Sequence, residues 1–145
     1  MDVVDAAVRS QMMAGIKGKN TKPEMLVRRC LSSSGLRYRL HRRDLPGAPD
    51  IALPNAKVAI LVHGCFWHVH QGCRLAAVPA TRPEFWKAKL QANAERDEGA
   101  VAMLAMLGWR VLVVWECATR RAGAPDLRGE ILRWIEGGSD YGEIG

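Results

Sequence analysis

Residues 50–73 read Asp50-Ile51-Ala52-Leu53-Pro54-Asn55-Ala56-Lys57-Val58-Ala59-Ile60-Leu61-Val62-His63-Gly64-Cys65-Phe66-Trp67-His68-Val69-His70-Gln71-Gly72-Cys73. Asp50 to Leu53 reads as a short strand, Pro54-Asn55-Ala56 as a turn, and Lys57 to Val62 as a buried strand running back. A tight hairpin through Asn55-Ala56 pairs residues whose numbers sum to about 111. It sets Asp50 beside Leu61 or Val62, at the mouth of the loop that follows. That loop, residues 63–73, packs three histidines, two cysteines and an adjacent aromatic pair into eleven positions. Metal ligands, proton-transfer groups and flat rings thus share one place.

Outward from this hairpin the chain alternates helix and strand signals. Residues 3–16 suit a short helix, broken by Lys17-Gly18-Lys19-Asn20. Thr21-Lys22-Pro23-Glu24 is a capping box with proline in the first turn, so a helix starts there and stops at Gly35. Leu36-Arg37-Tyr38-Arg39-Leu40 alternates as a strand, and Leu45-Pro46-Gly47-Ala48-Pro49 is turn-rich. A second capping box, Thr81-Arg82-Pro83-Glu84, predicts a long helix to about Leu107, with Gly108 as its stop. Gly99 inside it costs about 1 kcal/mol relative to alanine, which makes a kink or break possible there. Trp109 to Trp115 is the next strand, residues 126–134 are helical, and residues 137–145 read as a frayed, flexible tail. The order implies an α/β fold, a central mixed sheet flanked by helices.

At 145 residues the chain is expected to be a single domain, residues 1–145, with an N-terminal arm over residues 1–20. No stretch approaches twenty apolar residues and the N-terminus lacks a signal peptide's pattern, so a membrane protein is excluded and a cytoplasmic one expected. Thiols stay reduced there, so Cys30, Cys65, Cys73 and Cys117 read as metal ligands, catalytic groups or core rather than disulfides. The net charge of +6 lies wholly in residues 1–48, which hold ten Lys/Arg, Lys17 and Lys19 among them, against four Asp/Glu. Such asymmetry points to a polyanion, most simply nucleic acid, against the alternative of a bland basic surface.

Cys65, His70, Cys73 and Cys117 form C-x4-H-x2-C with a distant fourth cysteine. Four thiolate and imidazole donors suit a tetrahedral structural zinc, with His68 as the alternative histidine ligand. Cys30, on an apolar helix face, reads as core. Asp50 is the best candidate for a carboxylate holding a hard cation, usually Mg²⁺, beside a phosphodiester. His63 and His68 could activate water or protonate a leaving oxygen. Asp97 either orients one of them or is a solvated helix residue. Capping alone accounts for Glu24, with a metal role as an addition. Trp86, Trp109, Trp115 and Trp134 read as core, whereas Phe66 and Trp67 suit wedges between base pairs.

The segments Leu45 to Asp50, His63 to His68, Val78 to Trp86, Glu95-Arg96-Asp97 and Gly108 to Cys117 keep the order and spacing of one family, and the chain resembles the very short patch repair (Vsr) endonucleases. The resemblance implies a restriction-endonuclease-like fold of the PD-(D/E)xK type and a strand-specific nick 5′ of the thymine in T·G mismatches left by 5-methylcytosine deamination. By position, Asp50 is similar to the family's metal-binding aspartate, and His68 and Asp97 to its catalytic histidine and supporting aspartate. His63 and Glu24 match residues around metal and phosphate, and Cys65, His70, Cys73 and Cys117 the zinc ligands. Phe66, Trp67 and Trp86 match intercalating aromatics, and Met13 a residue approaching the minor groove. Val62 stands where the best-known member has a threonine that helps bind the metal. Its backbone carbonyl can replace that contact only if the hydroxyl is not used. Gln71-Gly72 add one position before Cys73 relative to that member.

The expected protein is therefore a Mg²⁺-dependent nicking endonuclease with a structural zinc. It would be a monomer on mismatched duplex DNA at the nucleoid, with mismatch-repair proteins as candidate partners. A zinc-stapled DNA-binding protein without cleavage, and a restriction-type nuclease cutting unmismatched DNA, are the alternatives.

Overall fold

The computed structural model describes residues 20–121 and 124–145, so Met13, Lys17, Lys19 and the expected first helix lie outside the described residues. The elements in order are α1 (Lys22–Ser33), β1 (Arg39–Leu40), β2 (Ile51–Leu53), β3 (Val58–His63), a 3₁₀ turn (Arg74–Ala76), α2 (Pro83–Met106), β4 (Arg110–Trp115), α3 (Glu116–Arg121), α4 (Ala124–Gly137) and β5 (Tyr141–Ile144). The five strands form one mixed sheet in sequence order, β1 to β3 antiparallel and β3 to β5 parallel.

The central hairpin has the expected register, with Ile51 opposite Ile60, Ala52 opposite Ala59 and Leu53 opposite Val58. Lys57 closes the turn, its N–H donating to Pro54 O at 3.3 Å with φ of 54°. Because side chains alternate along β3 and β4, each strand feeds two cores. Val58, Ile60, Leu112 and Val114 pack with Val27, Cys30 and Leu31 of α1 and Leu127 and Ile131 of α4. Ala59, Leu61, Val111, Val113 and Trp115 face Leu104 of α2 and Cys65 on the other side. The parallel strands β3 and β4 are thereby covered on both faces, as their unbroken apolar runs require.

Several expectations are corrected. Residues 137–145 are not a frayed tail: Tyr141–Ile144 pairs with Val111–Val114 as an edge strand, and Ile144 is buried in the first core. Only Arg39 and Leu40 of the expected strand 36–40 are paired. The second capping box does not form. Arg82 takes the N-cap position in a left-handed conformation, with no side-chain cap, and Thr81 falls one residue outside. Helix α2 runs unbroken through Gly99. Among the described residues no helix is long and apolar enough to cross a membrane.

The turn expected over residues 45–49 is built by a reverse turn in which Ala48 N–H donates to Leu45 O at 3.0 Å. Gly47 sits at φ of 73°, and a Cβ there would lie 2.7 Å from Ala100 Cβ of α2. Glycine is required twice over, by the backbone region and by the close approach. This loop holds Asp50 at one wall of a cleft whose other wall is α2.

Candidate active site and metal-binding cluster

A cleft of about 620 Å³ opens at the end of β3, lined by Glu24, Asp50, His63, His68 and Asp97 together with Val62, Asn93, Phe66 and Trp67. Asp50 follows the loop from β1 and accepts Val62 N–H at Oδ2, 2.8 Å away. Burial, the dominant cause, pushes its carboxyl up from an ordinary 3.8 to about 6, against the lowering effect of that hydrogen bond.

Glu24 departs from the capping reading. Thr21 Oγ1 does accept Glu24 N–H at 3.4 Å, which is the N-cap half of the box. The Glu24 carboxylate, however, is only 2% exposed and accepts from Arg28 Nη1 at 3.2 Å and from Asn20 N–H at 3.4 Å. It also faces His41 Nε2, at 3.0 and 3.2 Å from its two oxygens. A capping glutamate remains solvated; this one is drawn inside toward Asp50. His41 was not singled out by sequence reasoning. The signal was the β1–β2 register: with Leu40 opposite Ile51, His41 falls opposite Asp50, and its N–H donates to Asp50 O at 3.0 Å.

On the opposite wall, His68 Nδ1 lies 2.6 Å from Asp97 Oδ2 of α2. A carboxylate oxygen accepts, so Nδ1 is the donor in this contact, and in the neutral ring Nε2 is then the acceptor. Asn93, one turn earlier on α2, donates to Trp67 O at 3.1 Å, a second anchor for the loop that sequence reasoning passed over. Asp97 and Asn93 share a helix face by their four-residue spacing. The His63 ring stacks on His68, with centroids 3.8 Å apart and planes within 6°. Burial, then the neighbouring His68, pushes His63 down to about 3, so its imidazole stays neutral.

Phe66, Trp67, Phe85 and Trp86 meet edge-on, with ring centroids 5.1 to 5.9 Å apart. Phe66, Trp67 and Trp86 are half-buried and Phe85 is exposed. The four rings form a surface cluster, not part of either core, which corrects the core reading of Trp86. Trp115 is buried, as expected.

Cys65, His70, Cys73 and Cys117 offer four donor atoms all within 4.8 Å of one another. His70 Nδ1 lies 3.5 Å from both Cys65 Sγ and Cys117 Sγ. Tetrahedral arms of about 2.3 Å to sulfur and 2.1 Å to nitrogen give an edge of about 3.6 Å, so the donor set fits such an ion. Burial pushes the Cys65 thiol up to about 12, because a thiolate there lacks a compensating charge that a cation would bring. His70, not His68, faces the cysteines. Its ring also stacks on Trp115 at 4.2 Å, and Trp115 meets the His63 ring edge-on at 5.3 Å. A continuous run of rings therefore joins this cluster to the cleft. Cys30 is buried in the first core.

The raised Asp50 carboxyl gives a stability test. The folded state holds that proton more tightly than the unfolded chain. The resulting stabilisation is complete below about pH 4 and disappears as pH rises through about 6. Above pH 6, without divalent ions, the ionised carboxylate costs up to about 3 kcal/mol. D50N should therefore melt higher than wild type at pH 7.5 in zinc-containing buffer free of Mg²⁺ and Mn²⁺, and the gap should close toward pH 4. Equal differences at both pH values, in calorimetric scans, would contradict the assigned burial.

Residues 1–74 match the family described as DNA mismatch endonuclease Vsr. The chain is 48% identical over 120 residues to the type II nicking enzyme V.XorIIP of Xanthomonas oryzae pv. oryzae, covering 83% of this chain and 88% of that protein. It is 44% identical over 141 residues to the DNA mismatch endonuclease Vsr of Escherichia coli, covering 94% and 88%. Identity to the type II nicking enzyme V.NmeAIP of Neisseria meningitidis is 40% over 116 residues, covering 80% and 82%.

Proposed function

Because the chain belongs to the Vsr family of DNA mismatch endonucleases, and is a DNA-nicking endonuclease, we propose that it cuts one strand 5′ of the thymine in T·G mismatches. The observation that carries this reading is one cleft joining the buried Glu24 and half-buried Asp50 carboxylates, a hydrogen-bonded His68–Asp97 pair and a cluster of flat rings. In this reading the mixed sheet is a restriction-endonuclease-like core. Its second carboxylate comes from Glu24 on α1, since β3 (Val58-Ala59-Ile60-Leu61-Val62-His63) contains no acid.

Asp50 and Glu24, with only the backbone available at Val62, would hold a divalent ion, Mg²⁺ in this reading. When bound, such an ion neutralises charge building on the phosphoryl oxygens. His68, its Nδ1–H fixed by Asp97, presents Nε2 to take the proton of the attacking water. His63 remains neutral and holds the His68 ring in plane by stacking. Phe66, Trp67 and Trp86 wedge between base pairs, at a cost of a few kcal/mol per unstacked step that contacts in the distorted duplex offset. Met13, Lys17 and Lys19 would contact the DNA, and Cys65, His70, Cys73 and Cys117 would hold a zinc that braces the loop. The substrate is duplex DNA, met by a monomer in the cytoplasm at the nucleoid, with mismatch-repair proteins as candidate partners.

A panel of strand-labelled duplexes with varied flanks tests this. The zinc-loaded protein in Mg²⁺ should produce one nick in the thymine strand of T·G duplexes, little in T·A, and should relax supercoiled plasmid without linearising it. Absence of nicking in every T·G context would overturn the assignment. Base stacking on an aromatic ring is worth about 1–3 kcal/mol, so W67A should lower kcat/KM on T·G DNA by about tenfold or more and narrow its preference over T·A.

A further inference from the structure

We propose that His41 is a ligand of the divalent-ion site, so that the site combines imidazole nitrogen with the carboxylates of Glu24 and Asp50 and takes Mn²⁺ in preference to Mg²⁺. This rests on the reading above, that a divalent ion binds at this wall of the cleft.

Three observations converge on His41. It stands opposite Asp50 at the end of the β1–β2 ladder and is held there by its N–H to Asp50 O, 3.0 Å away. Its backbone lies at φ of 49°, a left-handed conformation that costs energy for a residue with a Cβ and that collects at working sites. Glu24, His41 and Asp50 each bring one donor atom within 4.8 Å of the other two.

The spacing suits a shared ion. His41 Nε2 lies 3.0 Å from Glu24 Oε2. Two neighbouring ligands on octahedral arms of about 2.1 Å are separated by about 3.0 Å. The same distance also describes a hydrogen bond that clamps Glu24 without a metal contact, and the test separates the two roles. Donor chemistry then sets the metal. Mg²⁺ keeps to oxygen ligands and water, whereas imidazole suits later divalent metals, and Mn²⁺ tolerates both. With no acid on β3 to complete an oxygen set, the third side chain in reach is a nitrogen donor.

The experiment uses the full-length, zinc-loaded protein titrated with Mn²⁺ and followed by electron paramagnetic resonance, with pulsed measurements for nitrogen coupling. H41Q is the informative variant, since glutamine still donates an N–H to Glu24 but offers no imidazole. Wild type should show bound Mn²⁺ coupled to a histidine nitrogen, displaced by Mg²⁺ only at about tenfold or greater excess. In H41Q the nitrogen coupling should vanish and the Mn²⁺ over Mg²⁺ preference fall by about tenfold or more. H41N, read the same way, replaces H41Q if the latter does not fold. Nitrogen coupling and metal preference unchanged in either variant would overturn the proposal and leave His41 a clamp. If instead D50A binds Mn²⁺ as wild type does, the divalent-ion reading of the cleft itself fails, a distinguishable result.

Discussion

D50A should lose T·G nicking by about 10³-fold or more under single-turnover conditions while binding the same duplex within a few-fold of wild type. Asp50 is the carboxylate that both the hairpin and the loop over Leu45 to Pro49 bring to the end of β3, with Oδ2 tied to Val62 N–H. Among the described residues, no hydrogen bond reaches its Oδ1. Removing the side chain would remove a main ligand of the proposed cation site, and His68 would then face a phosphate whose charge is unopposed. Affinity behaves differently because it comes mainly from Lys and Arg meeting phosphates. Deleting one negative charge leaves that contribution intact or slightly improves it. Nicking by D50A at a wild-type rate would favour a cleavage centre elsewhere. Equal binding by a wild type that never nicks would favour the non-catalytic reading.

The second large effect is expected at the sulfur-rich cluster. Withholding the zinc proposed there, or replacing Cys65 by serine, should lower the melting temperature by about 10–20 °C and abolish nicking together. A structural zinc contributes an apparent 10–16 kcal/mol or so in small zinc domains. A whole domain is stable by only about 5–15 kcal/mol, so even part of that contribution decides the fold. A loss near 5 kcal/mol corresponds to roughly the stated shift for a chain of this size. Cys65 is fully buried, and Cys117 N–H donates to its sulfur at 3.3 Å, so the cluster ties the loop to the end of β4. Through His70 and Trp115 it also braces the His63–His68 stack. Metal content, melting curves and activity measured on one preparation check this. A metal-free protein that melts with wild type would rule out a structural role for the ion.

Much of the site was legible because it is local in the chain. The hairpin spans a short turn, so the register and the Asp50–Val62 contact follow from numbering alone. The capping box at Thr21 was readable for the same reason, yet its glutamate misled. Local spacing predicts a solvated cap, while the neighbours that bury Glu24 come from His41 and Asp50, seventeen and more residues away. Thr81 shows the converse: a good capping pattern failed because Arg82 turns left-handed just before α2. His41, Asn93 and β5 were missed for one reason, that each owes its place to a partner distant in sequence.

Sequence alone therefore determined the family, the mixed sheet's central hairpin and most of the candidate residues of the cleft and the cysteine cluster, since these depend on residue type and short spacing. Tertiary structure alone decided which histidine faces the cysteines, which meets Asp97, and that His41 joins the carboxylates. Those choices depend on where strand ends and the α2 face lie in space, which no short spacing along the chain reports.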